Sequence, residues 1–250
     1  NADAGAVAAR LRQAPYASRL AALGDAAPAS DADWLALLGL ALERLLRDDA
    51  SFHPYSSRFD RYVDGSGTLD DAERRGLAIF LDPARGNCIA CHPATAPGAR
   101  RAGTFTDYSY HALGVPRNLA LPANRDPGHF DLGLCGPERS DLAAHRELCG
   151  YFKTPTLRNV ARRGHYFHNG RFDSLEEALR FYFTRDTDRA RWYPATAPGQ
   201  QRYDDLPPAL RGNVEHGQAP LDRMPGERPR VDEQGIRDLA AFLRALDDAD

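Results

Sequence analysis

The chain has 250 residues, of which 42% are hydrophobic, and its formal net charge at pH 7 is −3. That length can bury one large core or two small ones, and a nearly balanced charge gives no indication of a nucleic-acid partner. The longest apolar stretch, WLALLGLAL at 34–42, is shorter than the roughly 20 residues needed to cross a bilayer. The composition therefore predicts a globular protein without a membrane span. The first residue is Asn rather than Met, which indicates a mature or truncated product whose targeting signal is undefined.

The first 66 residues predict a helical segment. AGAVAARLRQ is typical of one helix, and Asp31 is the predicted N-cap of a strongly apolar helix that continues to about Leu46. Residues 48–67 break this pattern and end in Gly-Ser-Gly, which is typical of a boundary. We therefore expect a helical segment over 1–66 and a second domain over 67–250.

Three further helices are predicted in the second domain. Thr68 and Asp71 resemble a capping box before a helix that ends near Pro83. Ser174 opens another helix with Glu177 three residues later, and the last helix lies within DEQGIRDLAAFLRALDD at 232–248. Their predicted apolar faces consist of Ala72, Gly76, Ile79 and Phe80; of Leu175, Ala178, Leu179 and Tyr182; and of Ile236, Leu239, Ala240, Leu243 and Leu246. Since 93–152 and 184–230 are loop-like and strand signals are weak, the sequence predicts an all-α protein with long ordered loops.

Cys88, Cys91 and His92 form a CxxCH motif directly after the first of these helices. In c-type haem attachment each cysteine binds one vinyl group, and the adjacent histidine becomes the proximal ligand of the iron. A zinc site needs four ligands, usually with a second pair at a fixed spacing, and the other two cysteines do not supply one. A chance match is the remaining alternative. The motif therefore predicts covalent haem c on Cys88 and Cys91, with His92 bound to the iron.

Spacing alone leaves the ligand on the opposite face of the iron open. Met224 is the only methionine, and a thioether ligand raises the reduction potential, but its alternative role is an exposed loop residue. Tyr182 lies on the apolar face of a predicted helix, where the alternative is a core tyrosine with a hydrogen-bonded hydroxyl. His165, His168 and His216 are weaker candidates.

Two cysteines remain outside the motif, Cys135 and Cys149. They lie in a polar, loop-like segment, and each is followed by Gly. A disulfide between them is predicted, which implies an oxidising compartment. Two buried free thiols are the alternative.

Several stretches together resemble the superfamily of bacterial di-haem cytochrome c peroxidases and MauG. They are AERRGLAIFLDPARGNCIACH, YHALGVPRN, GYFKTPTLRNVARRGHYFHNGRFDSLEEALRFY and DLAAFLRAL, in this order over nearly the whole chain. TRDTDRARWYP, LPPALRGNV and the cysteine pair are similar to the MauG/MbnH-like branch. The resemblance implies a cytochrome c-like haem domain over 67–250.

The resemblance also implies roles for single residues. The family places the second iron ligand seven residues after the Leu of its LEEA helix, which is Tyr182 in this chain. Peroxidases of the family have Met there, whereas MauG has Tyr, so Tyr182 becomes the expected ligand and catalytic residue. Arg158 in TLRNV is expected to bind a haem propionate, with a surface arginine as the alternative.

The function implied by the resemblance is that of a MauG/MbnH-like di-haem oxidoreductase in the periplasm. Such an enzyme uses hydrogen peroxide to form high-valent iron and oxidises a protein residue or an electron donor. The second haem belongs to an N-terminal domain whose CxxCH this chain lacks, so we expect a partner domain or chain that the 1–66 segment would join. Calcium could bind through backbone carbonyls of Arg163, Gly164 and His165. The alternatives are an electron-transfer cytochrome c module and a conventional di-haem cytochrome c peroxidase.

Overall fold

The computed structural model describes residues 3–94, 102–193 and 202–249. The chain divides into two compact units, Asn1–Pro54 and Tyr55–Asp250, so the boundary lies twelve residues before the predicted one. The reason is a short helix within 48–67, the stretch expected to mark the boundary. Its Phe59 packs on Phe242 near the end of the chain, with 5.3 Å between the ring centroids. Parts of the two predicted loops, 95–101 and 194–201, lie outside the described residues.

The first unit contains three helices, α1 (Ala4–Gln13), α2 (Ala17–Ala21) and α3 (Asp31–Asp48). Their small apolar core consists of Ala8, Leu11, Leu20, Trp34 and Leu37. The N-cap of α3 is Ser30 rather than the predicted Asp31, because Ser30 and Asp33 form a reciprocal capping box. Within the residues described, no helix is both long and apolar enough to span a bilayer.

The regular structure of the second unit is also mainly helical, as predicted, and long loops connect its helices. Its helices are α4 (Arg58–Asp64), α5 (Asp71–Leu81), α6 (Leu175–Thr184), α7 (Arg189–Trp192) and α8 (Glu233–Arg244). Two short antiparallel strands, β1 (Tyr110–His111) and β2 (Phe152–Lys153), pair with Tyr110 opposite Lys153. The remainder of the unit consists of loops and short turns.

Helices α5 and α8 cross at close range and form the centre of the unit. Gly76 makes the approach possible, since a side chain at this position would overlap the backbone of α8 at Asp238. The N-terminus of α5 is capped by Asp70 and Glu73, so the predicted Thr68–Asp71 box is wrong by two residues. A short loop over 82–87 connects α5 to the CxxCH motif.

Helix α6 packs on α8 and begins, as predicted, at the N-cap Ser174. The predicted apolar stripe of the last helix is confirmed, since Ile236, Leu239, Ala240, Leu243 and Leu246 are all buried. Around this apolar contact, Arg180 donates two hydrogen bonds of 2.7 Å to Glu233. Apolar packing therefore joins the helices, and the partly exposed ion pair at the edge adds little to it.

In the described parts of the long loops, side chains hydrogen-bond to backbone carbonyls. Arg117 is an example, since its guanidinium donates to the carbonyl oxygens of Asn124, Asp126 and His129. Such bonds satisfy backbone groups that helices and sheets would otherwise pair.

The two ends of the second unit are joined through Asp248. Its carboxylate accepts hydrogen bonds from the Ser56 backbone N–H at 2.8 Å and from the Asn159 side chain at 2.9 Å. Phe59 N–H also donates to the Ala245 carbonyl at 2.9 Å. The start of the unit therefore lies against its end.

Candidate functional site

Cys88, Cys91 and His92 lie on one tight turn that follows α5. Asn87 precedes the turn with a φ of 50°, a left-handed conformation that asparagine adopts more readily than most residues. The turn is closed by the His92 N–H, which donates to the Cys88 carbonyl at 2.8 Å. All three side chains line one cavity of about 440 Å³. This volume is within the roughly 300–1,000 Å³ typical of cofactor and ligand sites.

The His92 imidazole is held in one tautomer. Its Nδ1 lies 2.8 Å from the carbonyl oxygen of Phe105, and because a carbonyl only accepts, Nδ1 carries the proton. Nε2 then keeps its lone pair, which is the arrangement that metal-bound histidines use. Burial lowers the pKa of His92 and favours the neutral ring. The side chain is therefore prepared to bind a metal through Nε2.

Tyr182 lines the same cavity from α6. Its hydroxyl has no hydrogen-bond partner among the described residues, whereas the buried Tyr203 donates to Asp186 at 2.9 Å and Tyr193 donates to the Gly114 carbonyl. Burial raises the pKa of Tyr182 above its usual range, and the groups that add most to this effect are the thiols of Cys88 and Cys91. The Tyr182 phenol is therefore available as a metal ligand on the cavity wall that Cys88 and Cys91 also line.

Tyr166 is a second tyrosine on the cavity wall, but its hydroxyl has different neighbours. Burial raises its pKa too, and the charged groups that act on it next are Glu176 and Arg244 at the ends of α6 and α8. Tyr182 is therefore the tyrosine associated with the CxxCH turn.

The other ligand candidates lie elsewhere or are already bonded. Met224 is 63% exposed and is absent from the cavity wall. His168 lines the cavity, stacks on Phe152 with 3.6 Å between the ring centroids, and bonds Asp205 through Nε2 at 3.2 Å. His165 lines the wall near the surface and pairs with Asp173, while His216 contacts Arg185 and Tyr203 away from the wall. The structure thus brings together Cys88, Cys91, His92 and Tyr182.

Arg158 lies in a structural ion pair instead of on the cavity wall. Its guanidinium donates two hydrogen bonds, of 2.9 and 2.8 Å, to the carboxylate of Asp60, and two more to the carbonyls of Ala102 and Gly103. Burial opposes the ionisation of Asp60, but hydrogen bonds from Arg158 and Ser57 outweigh it and lower the pKa of that carboxyl. Arg158 was expected to bind a haem propionate, but its guanidinium is already hydrogen-bonded to Asp60 and to two backbone carbonyls.

Sequence reasoning missed a polar pair on the cavity wall, His111 and Glu215. His111 Nδ1 lies 2.9 Å from the Glu215 carboxylate, and its Nε2 lies 2.8 Å from the hydroxyl of Ser109. The pair joins residues 104 positions apart in stretches without periodicity, so no local signal marked it. Among the residues described, no group of three or more His, Cys, Asp or Glu side chains is placed to hold a metal ion. Calcium through the carbonyls of 163–165 stays a prediction.

The predicted disulfide is confirmed. Cys135 and Cys149 are bonded across 14 positions and are buried against Leu210.

Comparison with known proteins gives a consistent family. No protein-family model matches the chain. The methylamine utilization protein MauG of Paracoccus denitrificans is 32% identical over 255 aligned positions, which cover 98% of this chain and 60% of that protein. The cytochrome-c peroxidase IdrP1 of a Pseudomonas strain is 30% identical over 158 positions, covering 56% of this chain and 38% of the relative.

A solved structure agrees over the full length of the chain. The di-haem peroxidase BthA of Burkholderia thailandensis has a TM-score of 0.86 and 41% identity, covering 100% of this chain and 60% of that one. The chain therefore spans about 60% of the length of MauG and of BthA. The predicted fold and family are confirmed: this chain belongs to the superfamily of MauG and the bacterial di-haem cytochrome c peroxidases.

Proposed function

We propose that the second unit carries one covalently attached haem c and is part of a MauG-like di-haem enzyme that consumes hydrogen peroxide. Cys88 and Cys91 would hold the haem through thioether bonds, and His92 and Tyr182 would bind the iron. The observation that supports this most is the shared cavity, which combines the CxxCH turn with an unpartnered tyrosine hydroxyl. When bound, the haem supplies one-electron redox chemistry.

The protein residues would prepare this chemistry in specific ways. Phe105 fixes the His92 ring and keeps Nε2 unprotonated. Tyr182 would lose its phenolic proton on binding iron, because a cation stabilises the anionic oxygen that burial disfavours. An anionic oxygen ligand favours the oxidised states of iron, in contrast to a thioether. Iron ligation by His92 and Tyr182 would therefore suit an enzyme that stores oxidising equivalents. It would suit a high-potential electron carrier less well.

The remaining parts of the proposal come from the relatives. MauG and BthA are longer than this chain, and BthA is described as a di-haem peroxidase, so a second haem would belong to a partner domain or chain. A protein substrate or redox partner would receive the oxidising equivalents. The disulfide and the absence of a membrane-spanning helix among the described residues are compatible with a periplasmic location.

The replacement of Tyr182 by Phe tests the proposed ligand. In the complete protein with its haems attached, Tyr182→Phe should remove one ligand and change the low-spin EPR signal of this haem. Tyr166→Phe is the matched control, because it makes the same substitution on the same cavity wall and should leave the signal unchanged. An EPR spectrum of Tyr182→Phe identical to that of wild type would show that Tyr182 is not a ligand.

Addition of hydrogen peroxide to the complete protein separates the two enzyme classes. A persistent change in near-infrared absorption supports the MauG-like function. Rapid turnover with a reduced cytochrome supports a conventional peroxidase, the class to which IdrP1 is assigned by its name. No reaction with peroxide would instead support an electron-transfer module.

A further inference from the structure

The cavity wall carries two basic side chains, Lys153 and Arg163, that lack a carboxylate partner. Neither forms an ion pair within the part of the chain that the structure describes. Both residues are exposed as well as lining the cavity, so they lie at its solvent edge. Lys153 is positioned by the strand pair β1–β2, and its ammonium lies 4.9 Å from the centre of the Tyr108 ring.

The acidic side chains of the wall, in contrast, have partners. Glu215 pairs with His111 at 2.9 Å, and Asp205 pairs with His168 at 3.2 Å. Asp131 accepts a hydrogen bond of 3.0 Å from the Gly133 N–H. Lys153 and Arg163 are therefore the two cations of the wall that have no carboxylate within ion-pair distance among the described residues.

A haem has a complementary pattern of charge. Its ring is apolar, and two propionate carboxylates extend from one edge. Most of the cavity is lined by apolar residues, which suits the ring, while carboxylates at a protein edge are stabilised by hydrogen-bonded cations. Long Lys and Arg side chains can extend along such an edge and keep their charged ends near water.

We propose that Lys153 and Arg163 bind the two propionate carboxylates of the haem. This inference rests on the proposed function, because it assumes that the cavity holds haem. It assigns to two residues on the cavity wall the role that the sequence suggested for Arg158, whose guanidinium is bonded to Asp60. Each cation would also stabilise the reduced iron, whose centre carries one positive charge less than the oxidised form.

The experiment uses the complete protein and the single variants Lys153→Gln and Arg163→Gln. A pyridine haemochrome assay and the intact mass of wild type first establish that haem is attached to Cys88 and Cys91; if it is not, the proposed function fails before this inference is tested. Because the attachment is covalent, both variants should keep their haem. Arg74→Gln is the matched control, since it removes the same charge from an exposed side chain of α5 outside the cavity wall.

Two measurements decide the outcome. The propionate bending modes in the resonance Raman spectrum should shift in both cavity variants and stay unchanged in Arg74→Gln. At a fixed solution potential, the ratio of oxidised to reduced haem should rise by about threefold to tenfold in each cavity variant, where tenfold corresponds to about 59 mV for one electron. Unchanged propionate modes in either variant would overturn the two-cation assignment, and so would an equal change in the control.

Discussion

The close crossing of α5 and α8 predicts that Gly76→Ala destabilises the protein, although alanine is the better helix former. A Cβ atom at position 76 would lie 2.6 Å from the carbonyl carbon of Asp238 and 2.8 Å from the Cβ of Phe242. Ordinary contacts of a Cβ begin at 3.4 Å, and the carbonyl oxygen of Asp238 would lie closer still than its carbon, so the helices would have to separate by more than about 1 Å. The atoms in the way belong to the backbone and to a Cβ, and no rotation of a side chain can relieve the overlap.

The expected size of the effect follows from two opposing terms. Overpacking of a tight core costs about 1–3 kcal/mol, and we expect the upper end because backbone atoms are involved. The higher helix propensity of alanine returns about 1 kcal/mol. The free energy of unfolding should therefore fall by about 2 kcal/mol, measured by urea denaturation followed by far-UV circular dichroism.

Gly39→Ala in α3 is the control for helix propensity. Nothing lies within 4 Å of a Cβ at that position, so this substitution should leave stability unchanged or raise it by up to about 1 kcal/mol. If Gly76→Ala proves as stable as wild type, the backbones of α5 and α8 do not approach each other closely at Gly76.

Three further substitutions test the contacts around the site. Asp60→Asn leaves the buried Arg158 without its carboxylate, and at pH 7 we expect a loss of about 3 kcal/mol or more in urea unfolding. Because the pKa of folded Asp60 is below its ordinary value, wild type should lose this advantage as the pH falls below about 4, and a difference that stays constant down to pH 3 would contradict the ion pair. Joint replacement of Cys135 and Cys149 by Ala opens a link across 14 positions and should cost about 3 kcal/mol, whereas an unchanged urea midpoint would argue against the bond. Ser174→Ala removes the N-cap of α6 and should cost about 1 kcal/mol in the same assay, with no loss expected if solvent replaces the cap.

Local patterns predicted the helices that surround the CxxCH motif. The apolar spacing within α5, α6 and α8 identified all three helices, because one face of each must be buried. Cap positions were less certain, since Ser30 and Asp31, or Thr68 and Asp70, are all acceptable N-caps. Only the reciprocal hydrogen bonds in the folded chain select one of them.

Contacts between distant loops had no such signal. Asp60 and Arg158 are 98 positions apart, and neither belongs to a periodic stretch. No periodic pattern predicts α4, because its seven residues are too few to establish one. The Ser57–Asp60 capping box begins this helix, and the packing of Phe59 on Phe242 holds it against the rest of the unit. The polar contacts of the cavity wall are likewise a property of the tertiary fold and not of any one segment.

The hydrogen bonds of Asp248 with Ser56 and Asn159 give the second unit an architectural property. A polypeptide that enters this unit and one that leaves it do so at the same patch of surface. Such a unit can be grafted into a loop of a host protein through a single pair of adjacent attachment points. It can also be circularly permuted, with the old ends joined by a short linker and new ends opened in an exposed turn. A unit with this geometry is a transferable module for the design of larger proteins.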